Sequence, residues 1–515
     1  MRFLASSASK VLGARRGGPG SVSCVDGNEV GGGAGAGGAG ARPVAVDVAR
    51  LRSLARSGVT ADLDWRLDQL AAVRDALVRG EAELTRALHA DLGKPVAETT
   101  FFEIGVVLSE IDYVRRNLAR WVRGDVVHAG PAGWPGRATV ERCPLGVVLV
   151  VAPWNYPVYL CALPVVSALA AGNCAVVKPS ERAPASGAVL ARLFGEASPA
   201  VVVAEGGPEV VREALAAGVD HVLFTGSAAA GRAVAAAAGR LLVPVTLELG
   251  GKCPAVVDAT AHLPSAARRI AWAKFANAGQ TCVAPDYVLV DEPVVDCFTS
   301  ELCRALRAFY GPDPQASPDY GRVVDERELD RLAGLLDGHG GTVVTGGRLD
   351  RADRYLEPTV VRQPALSSPL MHEEIFGPVL PVVGVKGVAA ALAVVGSLPD
   401  PLAVYVFSRD RAAIERLRRG TRSGGFFVNV ATSQQGIAGL AMGGVGASGS
   451  GTYRGRAGFE TLSQHRSVYT RPTRPDLAVH HPPYGRAKRQ LLRTLLHLPR
   501  RVAPTGRARP PTGRS

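Results

Sequence analysis

The sequence predicts an α/β protein: a doubly wound parallel sheet followed by a second α/β unit. Three observations carry this. Short apolar runs alternate with helical patterns from residue 146 to residue 249. Of the 515 residues, 47% are apolar and 20% charged, enough apolar surface to offset the ordering entropy of a folded core. Sharp loops follow the apolar runs at one end, where sheets of this class hold ligands. Single cores rarely exceed about 250–300 residues, so two or three domains are expected.

In chain order, residues 1–42 contain GGGAGAGGAGA at 31–41, a low-complexity arm expected to be disordered. Globular sequence begins near Val44. Leu67, Leu70, Val73 and Leu77 recur at helical spacing, with Leu84 and Leu88 after Gly80. A second helix is predicted from Glu98 to Trp121, and residues 128–145 form an arm outside the main core. VVLVVA (147–152) is a buried strand; a helix near 158–170 ends at Gly172-Asn173; CAVVK (174–178) is the next strand. Pro184 opens a helix. VVVA (201–204), a helix near 208–217, HVLFT (221–225), a helix near 229–239 and PVTLEL (244–249) complete the alternation. The loops PWNYP, KPSE and TGS lie at the carboxyl ends of the strands. The second unit holds helices near 264–276 and 296–309 and strands near 286–290, 342–345 and 402–407. SQHRSVYT (463–470) is strand-like. From Arg471 the chain is rich in Pro and Arg with little periodicity, and 471–515 is expected to be a basic disordered tail. Within it, RQLLRTLLHLPRR (489–501) mixes leucines with basic residues. A solvated tail is the favoured reading, and contact with an anionic membrane surface is the alternative.

The net charge is +13. Residues 1–42 carry +3 and 471–515 carry +10, which leaves 43–470 neutral. The excess belongs to the tails, so nucleic acid is not expected as a substrate or partner. Eight cysteines show no CxxC pair and no zinc spacing, so no metal site is expected and a reducing compartment is. No apolar run reaches the roughly 18–20 residues of a membrane helix. The first 25 residues are acid-poor and carry Arg and Ser, a faint likeness to an organelle presequence. Seven lysines against 52 arginines instead suggest a GC-rich bacterial genome. A cytoplasmic protein whose first residues are an over-extended start is therefore expected.

Two residues stand out chemically. A lone cysteine is by default a small buried hydrophobe. Cys282, however, follows Gly279-Gln280-Thr281 at the end of a helical pattern, on a turn that can aim its sulfur into a cleft and set its own N–H near a developing oxyanion. Glu248 ends an apolar strand in TLELGGK. It is either a solvated strand terminus or a general base tuned by partial burial. Gly250-Gly251 permit close backbone approach; Lys252 is open to a plain surface role, although it and Lys178 are two of only seven lysines and both fall in such segments, where an ammonium is a compact charge that Arg cannot mimic.

The segments VAPWNYPVYL, VVKPSE, VLFTGSAAAGR, TLELGGK, GQTCVAPDYV, EEIFGPVLPV and FVNV occur in this order and resemble the aldehyde dehydrogenase superfamily. ARLRSLARSGVTADLDWRLDQL…ALHADLGKP and GGVGASGSGTYRGRAGFETLSQHR resemble its class 3 branch. The resemblance spans about residues 45–470. It implies a Rossmann-type cofactor domain at 43–247 bearing the 128–145 oligomerisation arm, a catalytic domain at 248–425, and a return to the cofactor domain with an oligomerisation strand at 426–470.

The resemblance also implies roles. Cys282 would be the nucleophile that forms a thiohemiacetal and then a thioester. Asn155 would supply the side-chain half of the oxyanion hole, and Glu248 would activate the hydrolytic water. Lys178 and Glu181 would hold the adenosine ribose; Gly226, Ser227 and Gly231 would open a helix toward the pyrophosphate; Glu374 and Phe376 would hold the nicotinamide end. Trp154 and Leu249 fall in the same motifs and are assigned to the cofactor. Glu181 beside the ribose favours NAD, because a 2′-phosphate would be repelled; NADP stays open. A homodimer is implied. Two departures, ATSQQG after FVNV and Met442 before the Gly pair, touch the substrate funnel, so a medium-chain aliphatic or aromatic aldehyde is expected without a choice between them. Phe275, Tyr156 and Tyr159 are read as core packing, with an apolar tunnel as the alternative. The rival functions are a CoA-acylating semialdehyde dehydrogenase, against which Glu248 argues, and an inactive binding homologue.

Overall fold

The computed structural model describes residues 43–130 and 133–497; the glycine-rich arm at 1–42 and the tail beyond 497 lie outside the described residues. A six-stranded sheet runs in the spatial order Gly449–Ser450, Val245–Glu248, His221–Thr225, Val147–Val151, Cys174–Lys178, Val201–Val203. The five longer strands are parallel, and Gly449–Ser450 pairs antiparallel with Val245–Glu248. All residues of Val147–Val151, Cys174–Lys178 and His221–Thr225 are buried. These runs are continuously apolar because helices cover both faces of the sheet.

Chain order reverses between Val147–Val151 and His221–Thr225. Loops diverge to opposite sides of the sheet at that point and leave a crevice at the carboxyl ends of the strands. The two segments that leave it are Pro153-Trp154-Asn155 and Gly226-Ser227, and both line the large cleft described below.

A seven-stranded sheet runs Thr342–Thr345, Thr359–Arg362, Val379–Val385, Tyr287–Asp291, Pro254–Val257, Ala403–Phe407, Gly425–Val428. Only the Thr342–Thr345 edge is antiparallel. A third, three-stranded antiparallel sheet joins Asp125–Val127, Arg137–Pro144 and Ser463–Thr470. Two distant segments thus build the arm.

Three expectations are corrected. The helix predicted from Glu98 to Trp121 is interrupted by a π-helical segment, Thr99–Gly105, before Val106–Trp121. Lys252 is buried instead of lying on the surface. The tail expected to be disordered contains an α-helix, Arg486–His497. No helix among the described residues is long and apolar enough to cross a membrane.

Candidate active site

A cleft of about 860 Å3 opens between the carboxyl end of the six-stranded sheet and the second unit. Trp154, Asn155, Gly226, Ser227, Glu248, Leu249, Cys282, Glu374 and Phe376 all line it. Nine of the twelve residues singled out from sequence therefore meet in one place. Lys178, Glu181 and Gly231 do not line it. Lys178 and Glu181 are ion-paired to each other at 2.5 Å. Gly231 serves packing: a Cβ there would come within 2.6 Å of Leu249 Cδ2.

Cys282 sits where two cavities meet. It lines the cleft and also a small apolar pocket with Phe102, Tyr156, Tyr159, Leu160 and Met442. Tyr156 and Tyr159 are thus both core and cavity wall, whereas Phe275 is wholly buried in the second core. Met442, where class 3 relatives are expected to carry an aromatic, leaves a flexible thioether against Tyr159 and Tyr453. The turn that presents Cys282 is unusual. Asn277, Ala278 and Gly279 all have left-handed backbone, with φ of 53°, 51° and 75°, a costly conformation that surrounding contacts must enforce. A side chain at Gly279 would overlap the carbonyl of Gly377. Gln280 does much of the enforcing. Its amide donates to Asn277 O and Arg322 O, both at 2.9 Å, and accepts from Val324 N–H at 2.9 Å.

Asn155 is 2% exposed, and its Nδ2 donates to Gln280 O at 2.9 Å. That bond orients the amide beside Cys282 and leaves one N–H uncommitted. Burial pushes the Cys282 thiol up to about 12, with the nearby carboxyls of Glu374 and Glu248 adding to the shift. Glu248 is 2% exposed, and neither carboxyl oxygen has a hydrogen-bond partner. Burial alone holds its pKa well above the carboxylate range. A soft nucleophile, an amide donor and a buried, unpartnered carboxyl can together serve acyl chemistry.

The loop carrying Glu374 and Phe376 is clamped from beneath. Buried Lys252 binds Asp286 at 2.5 Å, Leu370 O at 3.0 Å and Glu373 O at 2.8 Å. Asp286 also accepts from Ile375 N–H at 3.2 Å. The lack of a side chain at Gly250 makes room for the Glu374 carboxylate, which a Cβ there would displace. Burial first, then Asp286, raises Glu374 to about 7. The Phe376 ring meets Trp154 edge-on at 5.5 Å, and Arg182 lies 4.8 Å over the Trp154 ring.

The cleft fits a dinucleotide on its own features. Ser227 caps the Ala228–Arg240 helix by accepting from Ala230 N–H. The helix opens with Ala228 and Ala229 on the cleft wall, so first-turn amides and the positive helix end face it. No group of three His, Cys, Asp or Glu among the described residues could hold a metal. Sequence reasoning missed Gln280, Asn277, Asp286 and Lys94. Their polar atoms point at backbone groups distant in sequence, a relation that no local motif encodes.

The sequence profile of the Aldehyde dehydrogenase family matches residues 45–468. The chain is 41% identical over 427 residues to 4,4'-diaponeurosporen-aldehyde dehydrogenase of Staphylococcus aureus (strain NCTC 8325 / PS 47), covering 82% of this chain and 93% of that protein. It is 40% identical over 441 residues to the dimeric NADP-preferring aldehyde dehydrogenase of Canis lupus familiaris (85% and 97%). To aldehyde dehydrogenase family 3 member B2 of Mus musculus it is 38% identical over 457 residues (88% and 95%). The solved structure of the substrate-bound state of Staphylococcus aureus AldH superposes with a TM-score of 0.85 at 38% identity, covering 88% of this chain and all of that one.

Proposed function

Because the chain belongs to the aldehyde dehydrogenase family, we propose that this cleft oxidises an aldehyde to its carboxylic acid through covalent attachment to Cys282. The carrying observation is the place of Cys282 at the junction of the two cavities, with Asn155 and Glu248 lining the larger one. The aldehyde enters by the apolar pocket, its tail against Tyr156, Tyr159 and Met442. The Cys282 sulfur adds to the carbonyl carbon as its thiol proton passes to a water in the cleft. The free Asn155 Nδ2 hydrogen and the Cys282 backbone N–H stabilise the oxyanion that forms. NAD, when bound in the cleft, would supply the hydride acceptor. Trp154, Gly226, Ser227, Leu249, Glu374 and Phe376 would hold it, Gly231 would let Leu249 pack against the helix that faces the pyrophosphate, and Lys178 and Glu181 would hold the adenosine ribose. Glu248 then removes a proton from the water that cleaves the resulting thioester.

The apolar wall suits a medium-chain aliphatic or aromatic aldehyde. A bare carboxyl poised for water activation favours hydrolysis over transfer to CoA. Acid formation without added CoA, read by reduction of NAD over an aldehyde panel, tests the reading. It fails if Cys282→Ala retains activity or if acid appears only with CoA. The S. aureus relative's name specifies a diaponeurosporen aldehyde and the canine relative's an NADP preference. NAD is proposed here because the resemblance assigns Glu181 to the ribose, where its charge would repel a 2′-phosphate. We assign the cytoplasm as location and a homodimer as assembly. Ser463–Thr470 is an eight-residue edge strand with mostly exposed side chains, open to pairing with a second copy.

A further inference from the structure

Behind the proposed oxyanion donor lies a buried ion pair that the chemistry above does not use. The side chains of Lys94 and Glu103 are both 0% exposed, and Nζ stands 2.5 Å from Oε1. Lys94 also donates to the carbonyl oxygen of Asn155 at 2.9 Å and sits 4.1 Å from the centroid of the Tyr156 ring. The second oxygen of Glu103 accepts the Tyr159 N–H at 2.9 Å. The pair therefore grips both ends of the turn from Asn155 to Tyr159. Asn277, from the left-handed turn before Cys282, donates its Nδ2 to the same Asn155 carbonyl at 2.9 Å. One oxygen thus ties the donor segment to the nucleophile segment.

Two features argue against a stabilising role alone. A buried ion pair is weak evidence for stability, since its desolvation cost rivals its attraction and apolar replacements are often neutral or better. Glu103 also reaches this position from the π-helical Thr99–Gly105 segment. An extra residue in a turn rotates everything after it by about 100°, and such segments are frequent at functional sites.

We propose that Lys94 and Glu103 are positioning residues for the oxyanion hole. They hold the Asn155–Tyr159 turn so that the Asn155 amide keeps its direction toward the Cys282 site, and Lys94 withdraws charge from the Asn155 peptide. The proposal rests on the oxyanion role assigned to Asn155.

The test replaces the pair by apolar residues of similar volume, Lys94→Met with Glu103→Leu. The folded variant is expected to lose about 10–100-fold in kcat with KM for NAD within about twofold. In an Asn155→Ala background the same replacement should cost less than about threefold, because the group it positions is gone. A role in packing alone would lower kcat by equal factors in both backgrounds. Either that result or an unchanged kcat overturns the proposal. Should the double variant fail to fold, Glu103→Gln keeps length and one acceptor; it should show a several-fold loss with the same background dependence, and no loss is again a refutation. Asn155→Ala by itself separates the two levels. If it costs less than about tenfold, the oxyanion reading falls; if it costs about 100-fold while the pair replacement is neutral, only this inference falls.

Discussion

Two buried glutamates flank the site in opposite states. The Glu103 side chain is fully enclosed, yet one oxygen meets an ammonium and the other a backbone N–H. Glu248 is 2% exposed and has no partner for either oxygen. Glu103 faces inward from a helix, where neighbouring elements supply donors. Glu248 ends a strand at the cleft, where only substrate and water can approach. A paired buried carboxylate can fix geometry, because both of its oxygens are committed to donors. A bare one is destabilised as an anion, and so is a ready base once a proton acceptor is wanted.

The contrast breaks most visibly in stability. Lys94→Met alone leaves Glu103 buried without its counter-charge, and should cost about 3–5 kcal/mol, read as a lower denaturant midpoint at constant slope. A loss below about 1 kcal/mol would mean that the pair contributes little beyond what an apolar side chain can replace.

Glu248→Gln should behave in the reverse sense. The folded-state pKa of Glu248 lies above its unfolded value. Its burial is harmless below the ordinary carboxylate range, and stability is lost as pH rises above that range. The variant should match the parent below about pH 4 and become the more stable of the two as pH rises toward 8. Thioester hydrolysis should meanwhile fall by about 100-fold or more, leaving acylated Cys282 detectable by mass. Parallel stability curves for parent and variant between those pH values would show that Glu248 is solvated.

The strand–helix alternation and the strand-end loops were legible because parallel strands buried on both faces write themselves as unbroken apolar runs. Cys174–Lys178, His221–Thr225 and Thr342–Thr345 match the expected bounds. The cleft was legible through motifs that share one strand-end geometry. Pro254–Val257 and Thr359–Arg362 were not: four-residue strands flanked by Pro carry no periodic signal. The π-helical segment was invisible as well, since one extra residue in a turn leaves the apolar spacing ambiguous. The burial of Lys252 was not legible because Asp286, its partner, lies 34 residues away. The Arg486–His497 helix was missed because Pro and Arg around it dilute the pattern of Leu491, Leu492, Leu495 and Leu496.

Glu181 completes the series as a carboxylate that is paired but open to water. Its side chain is 54% exposed and bonds Lys178, whose side chain is 7% exposed, at 2.5 Å. Partial burial pushes its pKa up, but hydrogen bonds from Lys178 and its own backbone outweigh that and set it below the usual value. Its contribution to stability is therefore present above the carboxylate range and lost as pH falls. Solvent screening keeps such a contribution under about 1 kcal/mol, so Glu181→Gln should barely move the melting temperature at neutral pH. What it should move is cofactor choice. Removing the charge beside the expected ribose site relieves repulsion of a 2′-phosphate, so the ratio of kcat/KM for NADP over NAD should rise by up to about tenfold. An unchanged ratio would place the ribose away from Glu181, consistent with a cleft whose walls stop short of this pair, and would move the choice between cofactors to Arg182 or Arg232, which do line it.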